Sequence, residues 1–169
     1  MNRFVVFLRG INVGGRIVVK EKLKEEFTSM NYQNVSTYKQ SGNVIFDSDK
    51  NPQQIAAQVE DKLRDALGFE VKVFVRTISE LKKIIDLNPF KGQSSEGTSF
   101  LVTFLTTAPS KFPFQLPLTI PKSTAQVISM EGAEVFSVTH GGGEGALPNP
   151  FLESKLKMKA TTRNLNTIR

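Results

Sequence analysis

The stretch NVIFDSDKNPQQIAAQVEDKLRDALGFEVKVFVRT, residues 43–77, decides the fold. At its centre Asn51 offers a capping side chain, and Pro52 brings the fixed φ that suits a first helical position. Ile55, Val59, Leu63 and Leu67 then recur at helical spacing as one buried stripe, and Gly68 supplies the stop. On either side, Asn43 to Phe46 and Val71 to Val75 are β-rich runs.

Toward the N-terminus, Val35 to Gln40 is a further strand-like run, joined to Asn43–Phe46 by the hairpin signal Ser41-Gly42. Phe4 to Arg9 is another, and Val19, Leu23, Phe27 and Met30 space a helix that runs up to Asn31. Residues 3–76 therefore spell β-α-β-β-α-β, the ferredoxin-like split motif, for which the expected sheet order is 4-1-3-2. The predicted fold class is α+β: a ferredoxin-like βαββαβ first half followed by a smaller α+β second half. The corresponding subdomains are residues 1–76 and 77–169, the latter ending in a basic segment.

In the second half, Thr77-Ile78-Ser79-Glu80 is a capping box opening a helix that Asn88-Pro89 stops. Phe100 to Leu105 reads as a strand, and Ala125–Met130 with Val135–His140 as a hairpin around Glu131-Gly132. Pro109, Pro113, Pro117 and Pro121 exclude a regular helix between them, so that stretch is expected to be a packed irregular connection. A short helix is expected over 151–158.

Composition excludes several kinds of chemistry. The chain has no Cys and a single His, His140, which removes disulfides and thiolate nucleophiles and leaves a metal only carboxylates without ligand spacing. No metal and no cofactor are expected. No run approaches the roughly 18 apolar residues of a membrane span, and no secretory h-region opens the chain, so a cytoplasmic location away from membranes is expected. The net charge of +6 favours anionic partners, and Lys155, Lys157, Lys159, Arg163 and Arg169 crowd a stretch, 154–169, that has no acid. The sequence sets no oligomeric state.

Three segments put polar side chains and glycines at strand ends: Leu8-Arg9-Gly10-Ile11-Asn12-Val13-Gly14-Gly15, Tyr38-Lys39-Gln40-Ser41-Gly42-Asn43 and Thr161-Thr162-Arg163-Asn164. Their order and spacing resemble the signature segments of the bacterial protein family of unknown function numbered 1697, over nearly the whole chain. The resemblance implies an α+β fold and no established substrate. The chain departs from the family's usual pattern in carrying Leu165 where a Trp is common, and in its proline-rich 109–121.

Topology adds its own argument, because in a 4-1-3-2 sheet the end of the first strand and the hairpin joining the second and third strands share one edge. Arg9, Gly10, Asn12, Gly14, Gly15, Gln40, Ser41 and Asn43 would then meet beside the start of the first helix, where N–H groups and the helix dipole favour an anion. Arg163 and Asn164 are candidates for a third wall. The competing structural account has the glycines serving a tight connection, with Arg9 and Asn43 bonded to neighbouring carbonyls.

Named motifs do not fit. Gly10–Gly15 is neither a P-loop nor a dinucleotide fingerprint. Lys39, Gly42, Val44 and Phe46 match an RNA-recognition strand, but its base-stacking positions hold Ser41 and Asn43. His140-Gly141-Gly142-Gly143 lacks the G-x-S-x-G elbow that an esterase needs, so a triad of Ser41 with His140 is not expected. The expected function is binding of an anionic ligand, a phosphorylated small molecule or nucleotide, at loop edge 9–15/40–43. Three alternatives stay open. One is a transferase or isomerase acting on a phosphorylated metabolite, with Lys20, Asp47 or His140 as its titrating group. Another is an interaction module using a sheet face with Phe7, Phe46 and Phe74. The last is nonspecific nucleic-acid binding.

Overall fold

The structure is a computed structural model and describes residues 1–39, 42–141 and 147–169. The chain divides into two compact units, Met1–Lys82 and Lys83–Arg169. The second is no smaller than the first, against the expectation from the sequence.

In the first unit, β1 (Asn2–Arg9), α1 (Lys20–Ser29), β2 (Gln33–Tyr38), β3 (Asn43–Ser48), α2 (Pro52–Leu67) and β4 (Lys72–Thr77) follow in the expected order. The sheet runs β2-β3-β1-β4 with every neighbouring pair antiparallel, which is the ferredoxin-like arrangement. One sheet face packs on both helices: Phe4, Val6, Leu8, Val44, Phe46, Val73 and Val75 meet Leu23 and Phe27 of α1 and Ile55, Val59 and Leu63 of α2. Burying these apolar stripes is the main drive that holds the unit together.

Local chemistry sets the ends of α2. The Asn51 side chain accepts the Gln54 N–H at 2.9 Å, and the Gln54 side chain accepts the Asn51 N–H at 3.1 Å. Gly68 closes the helix at φ +77°, its N–H on the Arg64 carbonyl. Helix α3 (Ile78–Leu87) opens on the reciprocal Thr77–Glu80 box, and the division between the units falls within it.

The register corrects one expectation. Phe4 lies opposite Phe46 and Phe7 opposite Phe74, so Phe46 belongs to the helix-covered face, whereas Phe7 and Phe74 share the other. All three are buried.

The second unit is a five-stranded sheet, ordered β6-β7-β8-β5-β9, built from β5 (Thr98–Leu105), β6 (Leu118–Thr119), β7 (Ala125–Glu131), β8 (Glu134–His140) and β9 (Ala160–Asn164). Helix α4 (Asn149–Leu156) packs Leu152 into a core with Leu105, Val127, Val135 and Ala160. The proline-rich connection contributes the two-residue β6, which pairs with β7. Thr161–Asn164 is mostly strand: β9 pairs with β5, and Asn164 caps the short α5 (Leu165–Ile168), accepting the Asn166 N–H at 2.9 Å.

Candidate functional site

The site is built around the junction of β1 with the β2–β3 hairpin. Gly42 sits at φ +73°, and its carbonyl accepts the Leu8 N–H at 2.8 Å, fastening the hairpin to the end of β1. A Cβ at Gly42 would lie 2.7 Å from Ile11 Cδ1 and 3.1 Å from Leu8 Cβ. Only glycine permits both this backbone conformation and this approach. Asn43, 2% exposed, donates from Nδ2 to the Tyr38 carbonyl at 2.9 Å and closes the hairpin from within.

The loop after β1 folds on itself through Asn12. Its N–H donates to the Arg16 carbonyl at 2.7 Å, and its side-chain oxygen accepts the Val18 N–H at 2.9 Å. The turn between passes through Gly14 and Gly15, and the Arg16 guanidinium lies 5.0 Å over the Phe69 ring. The loop delivers Val19 to the start of α1, where it caps nothing with its side chain. Val19 thus brings no capping acceptor to the first-turn N–H groups of α1, and Glu21 is the acidic residue of that turn.

These elements line a cleft of about 340 Å³ that includes Asn12, Lys20, Thr37, Lys39, Gly42 and Asn43, together with Ile17, Val19 and Glu21. Lys20 and Lys39 set two ammonium groups against the Glu21 carboxylate, leaving the described lining one positive charge in excess. Ile17 and Val19 are 79% and 58% exposed and give it an apolar wall.

Of the expected residues, Asn12 and Asn43 thus share one cleft, while Gly10, Gly14 and Gly15 shape the loop without lining it. Arg9 stands at the end of β1 opposite Lys72 of β4, outside the described lining. Gln40, Ser41, Gly142 and Gly143 lie outside the described residues. Arg163 and Asn164 belong to the second unit. There Arg163 is 9% exposed and donates to Thr161 Oγ1 at 2.8 Å and the Thr162 carbonyl at 3.0 Å, and burial pushes its pKa down to about 10. Both of these acceptors belong to its own strand.

The groups considered for acid–base work separate. Lys20 lines the cleft, but Asp47 sits at the far end of β3, held by Arg3 at 3.3 Å and Asn34 at 2.7 Å. His140 ends β8 in the second unit with Nδ1 3.0 Å from Thr98 Oγ1. Thr37 and Lys39 are lining residues that the sequence reading passed over. Among the described residues no group of three or more His, Cys, Asp or Glu could hold a metal ion, and no helix is long and apolar enough to cross a membrane.

The model of the family described as proteins of unknown function, DUF1697, matches residues 1–136. The chain belongs to the DUF1697 family. The match takes in both segments that build the cleft and ends before Thr161–Asn164, so the third signature-like segment lies beyond it. As a DUF1697 chain it is also similar in structure to the conserved bacterial protein SP0830 from Streptococcus pneumoniae. That likeness has a TM-score of 0.67 at 21% identity and covers 99% of this chain and 94% of that one, a likeness of α+β fold. No curated protein matches it.

Proposed function

We propose that this cytoplasmic protein binds an anionic small molecule, a phosphorylated metabolite or nucleotide, in the cleft between the 10–19 loop and the β2–β3 hairpin. The observation that carries the reading is the convergence of Lys20, Lys39 and the uncapped first turn of α1 on one cleft. Ammonium groups and helix N–H groups together form the usual cradle for a phosphate. The exposed Ile17 and Val19 would cover an apolar body such as a base or a sugar face, and burying them would add to affinity. Asn12 and Asn43 act as scaffolding, since each spends a polar group on a neighbouring backbone atom.

A thermal-shift panel of nucleotides and sugar phosphates tests the reading, because a ligand that binds the folded state raises Tm. A compound in the panel is expected to raise the Tm of the wild type and not that of the Lys20→Ala/Lys39→Ala variant. Equal shifts in both proteins, or none in either, would remove the reading.

A further inference from the structure

The two sheets repeat one arrangement. In the second unit β7-β8-β5-β9 stand in the order of β2-β3-β1-β4 in the first, every neighbouring pair again antiparallel, and α4 precedes β9 as α2 precedes β4. The match extends to single hydrogen bonds. The Leu105 N–H donates to the Ala133 carbonyl at 2.8 Å, as the Leu8 N–H does to that of Gly42. Aligned on this pair, Phe7-Leu8 of β1 falls on Phe104-Leu105 of β5, and Val73 and Arg76 of β4 fall on Ala160 and Arg163 of β9.

β4 and β9 are therefore matching outer strands, and alternation along an antiparallel ladder fixes which of their backbone groups face out. Leu8 turns its N–H toward β3, so Val5 and Phe7 turn theirs toward β4. Their partners Arg76 and Phe74 point inward, and Val73 and Val75 point outward. By the same count Ala160 and Thr162 face out from β9. A row of outward N–H and C=O groups is the template on which another strand adds.

Both edges carry the same two fittings. Glu60 of α2 accepts the Val73 N–H at 3.1 Å, and Glu153 of α4 accepts the Ala160 N–H at 2.9 Å. Arg76 donates to the Val75 carbonyl at 2.9 Å, and Arg163 donates to the Thr162 carbonyl at 3.0 Å. The pattern recurs although α2 has 16 residues and α4 has 8. Lys72 Nζ lies 2.9 Å from the Glu60 oxygen that holds Val73, and with the Lys72 and Glu60 side chains 40% and 27% exposed the β4 edge borders solvent.

We infer that Glu60 and Glu153 are matched edge guards, each occupying the outward N–H of its strand and denying that edge to the same strand of a second copy of this chain. A carboxylate accepts and does not donate, so it fits the N–H and offers an incoming strand nothing to pair with, while the arginine covers the neighbouring carbonyl. A second copy is the partner excluded, because two identical antiparallel edges are self-complementary about a two-fold axis. Arg163, from the third signature-like segment, thereby takes the same place in its unit as Arg76 in the first.

The test uses the full chain as wild type, Glu60→Ala, Glu60→Gln and Glu153→Ala. Amide hydrogen exchange at Val73 and Ala160 is read at low concentration, and mass against concentration is read by light scattering. The Val73 amide is expected to exchange about tenfold faster in Glu60→Ala and near the wild-type rate in Glu60→Gln, whose side-chain oxygen still accepts. The Ala160 amide should respond in Glu153→Ala alone. With rising concentration the mass of Glu60→Ala should climb above that of the wild type, and that of Glu60→Gln should follow the wild type. Should Glu153→Ala not fold, the two Glu60 variants decide. Unchanged Val73 exchange in Glu60→Ala would overturn the inference. Faster exchange without any gain in mass would also overturn it, by making Glu60 a clamp between α2 and β4 and nothing more.

Discussion

Gly42 and Ile11 are in contact so close that a Cβ on Gly42 would come within 2.7 Å of Ile11 Cδ1. The contact joins the two segments that build the candidate cleft, and the Leu8 N–H on the Gly42 carbonyl ties the same junction through the backbone. Gly42→Ala therefore carries two penalties, a left-handed φ and an overlap that Ile11 must yield to. A loss of about 1–3 kcal/mol is expected in the denaturant midpoint. An Ala variant as stable as the wild type would mean that the junction is loose.

Asn43→Ala removes a buried donor and leaves the Tyr38 carbonyl without it. The expected cost is about 1–2 kcal/mol, seen as a lowered urea midpoint at unchanged slope. An unchanged midpoint would show that the hairpin closes without this side chain.

The lysine pair behaves in the opposite way. In the proposed reading Lys20 and Lys39 contact the ligand, so Lys20→Ala/Lys39→Ala should unfold within about 0.5 kcal/mol of the wild type. Ligand affinity in the wild type should fall with added salt, as screening weakens both ammonium contacts, and calorimetry at two ionic strengths checks this. Affinity indifferent to salt would argue against the charged wall.

Tyr32 gives stability a pH dependence with a definite sign. Burial favours the neutral phenol in the folded state, which raises its pKa from 10.0 to about 12. The unfolded chain ionises first, so this contribution is complete below about pH 10 and declines as pH rises toward 12. In Tyr32→Phe the decline over that window should be shallower, as urea midpoints taken across it will show. A parallel decline in both proteins would exclude Tyr32 as its source.

The parts of the fold that were legible in the sequence rest on local chemistry. Asn51, Pro52 and Gly68 delimit α2 through side-chain and φ preferences that act within one turn, and the alternation of helices and strands then leaves few topologies. Phe46 was misassigned because both faces of β1 are apolar, so periodicity offers no phase and only the pairing of Phe4 with Phe46 sets it. The strand character of Thr161–Asn164 was not legible because it comes from pairing with β5, far away in sequence. For the candidate site, topology brought Asn12 and Asn43 to one cleft, but Lys39 enters through its turn conformation at φ +56° and Arg163 is withdrawn by burial, and neither is visible in a residue's type.

The most direct measurement is an amide 1H–15N map of the full chain titrated with ADP and with inorganic phosphate. The account predicts saturable shifts clustered at Asn12, Val18 to Leu23, Lys39 and Asn43. Shifts confined to the basic segment 154–169, or none that saturate, would contradict it.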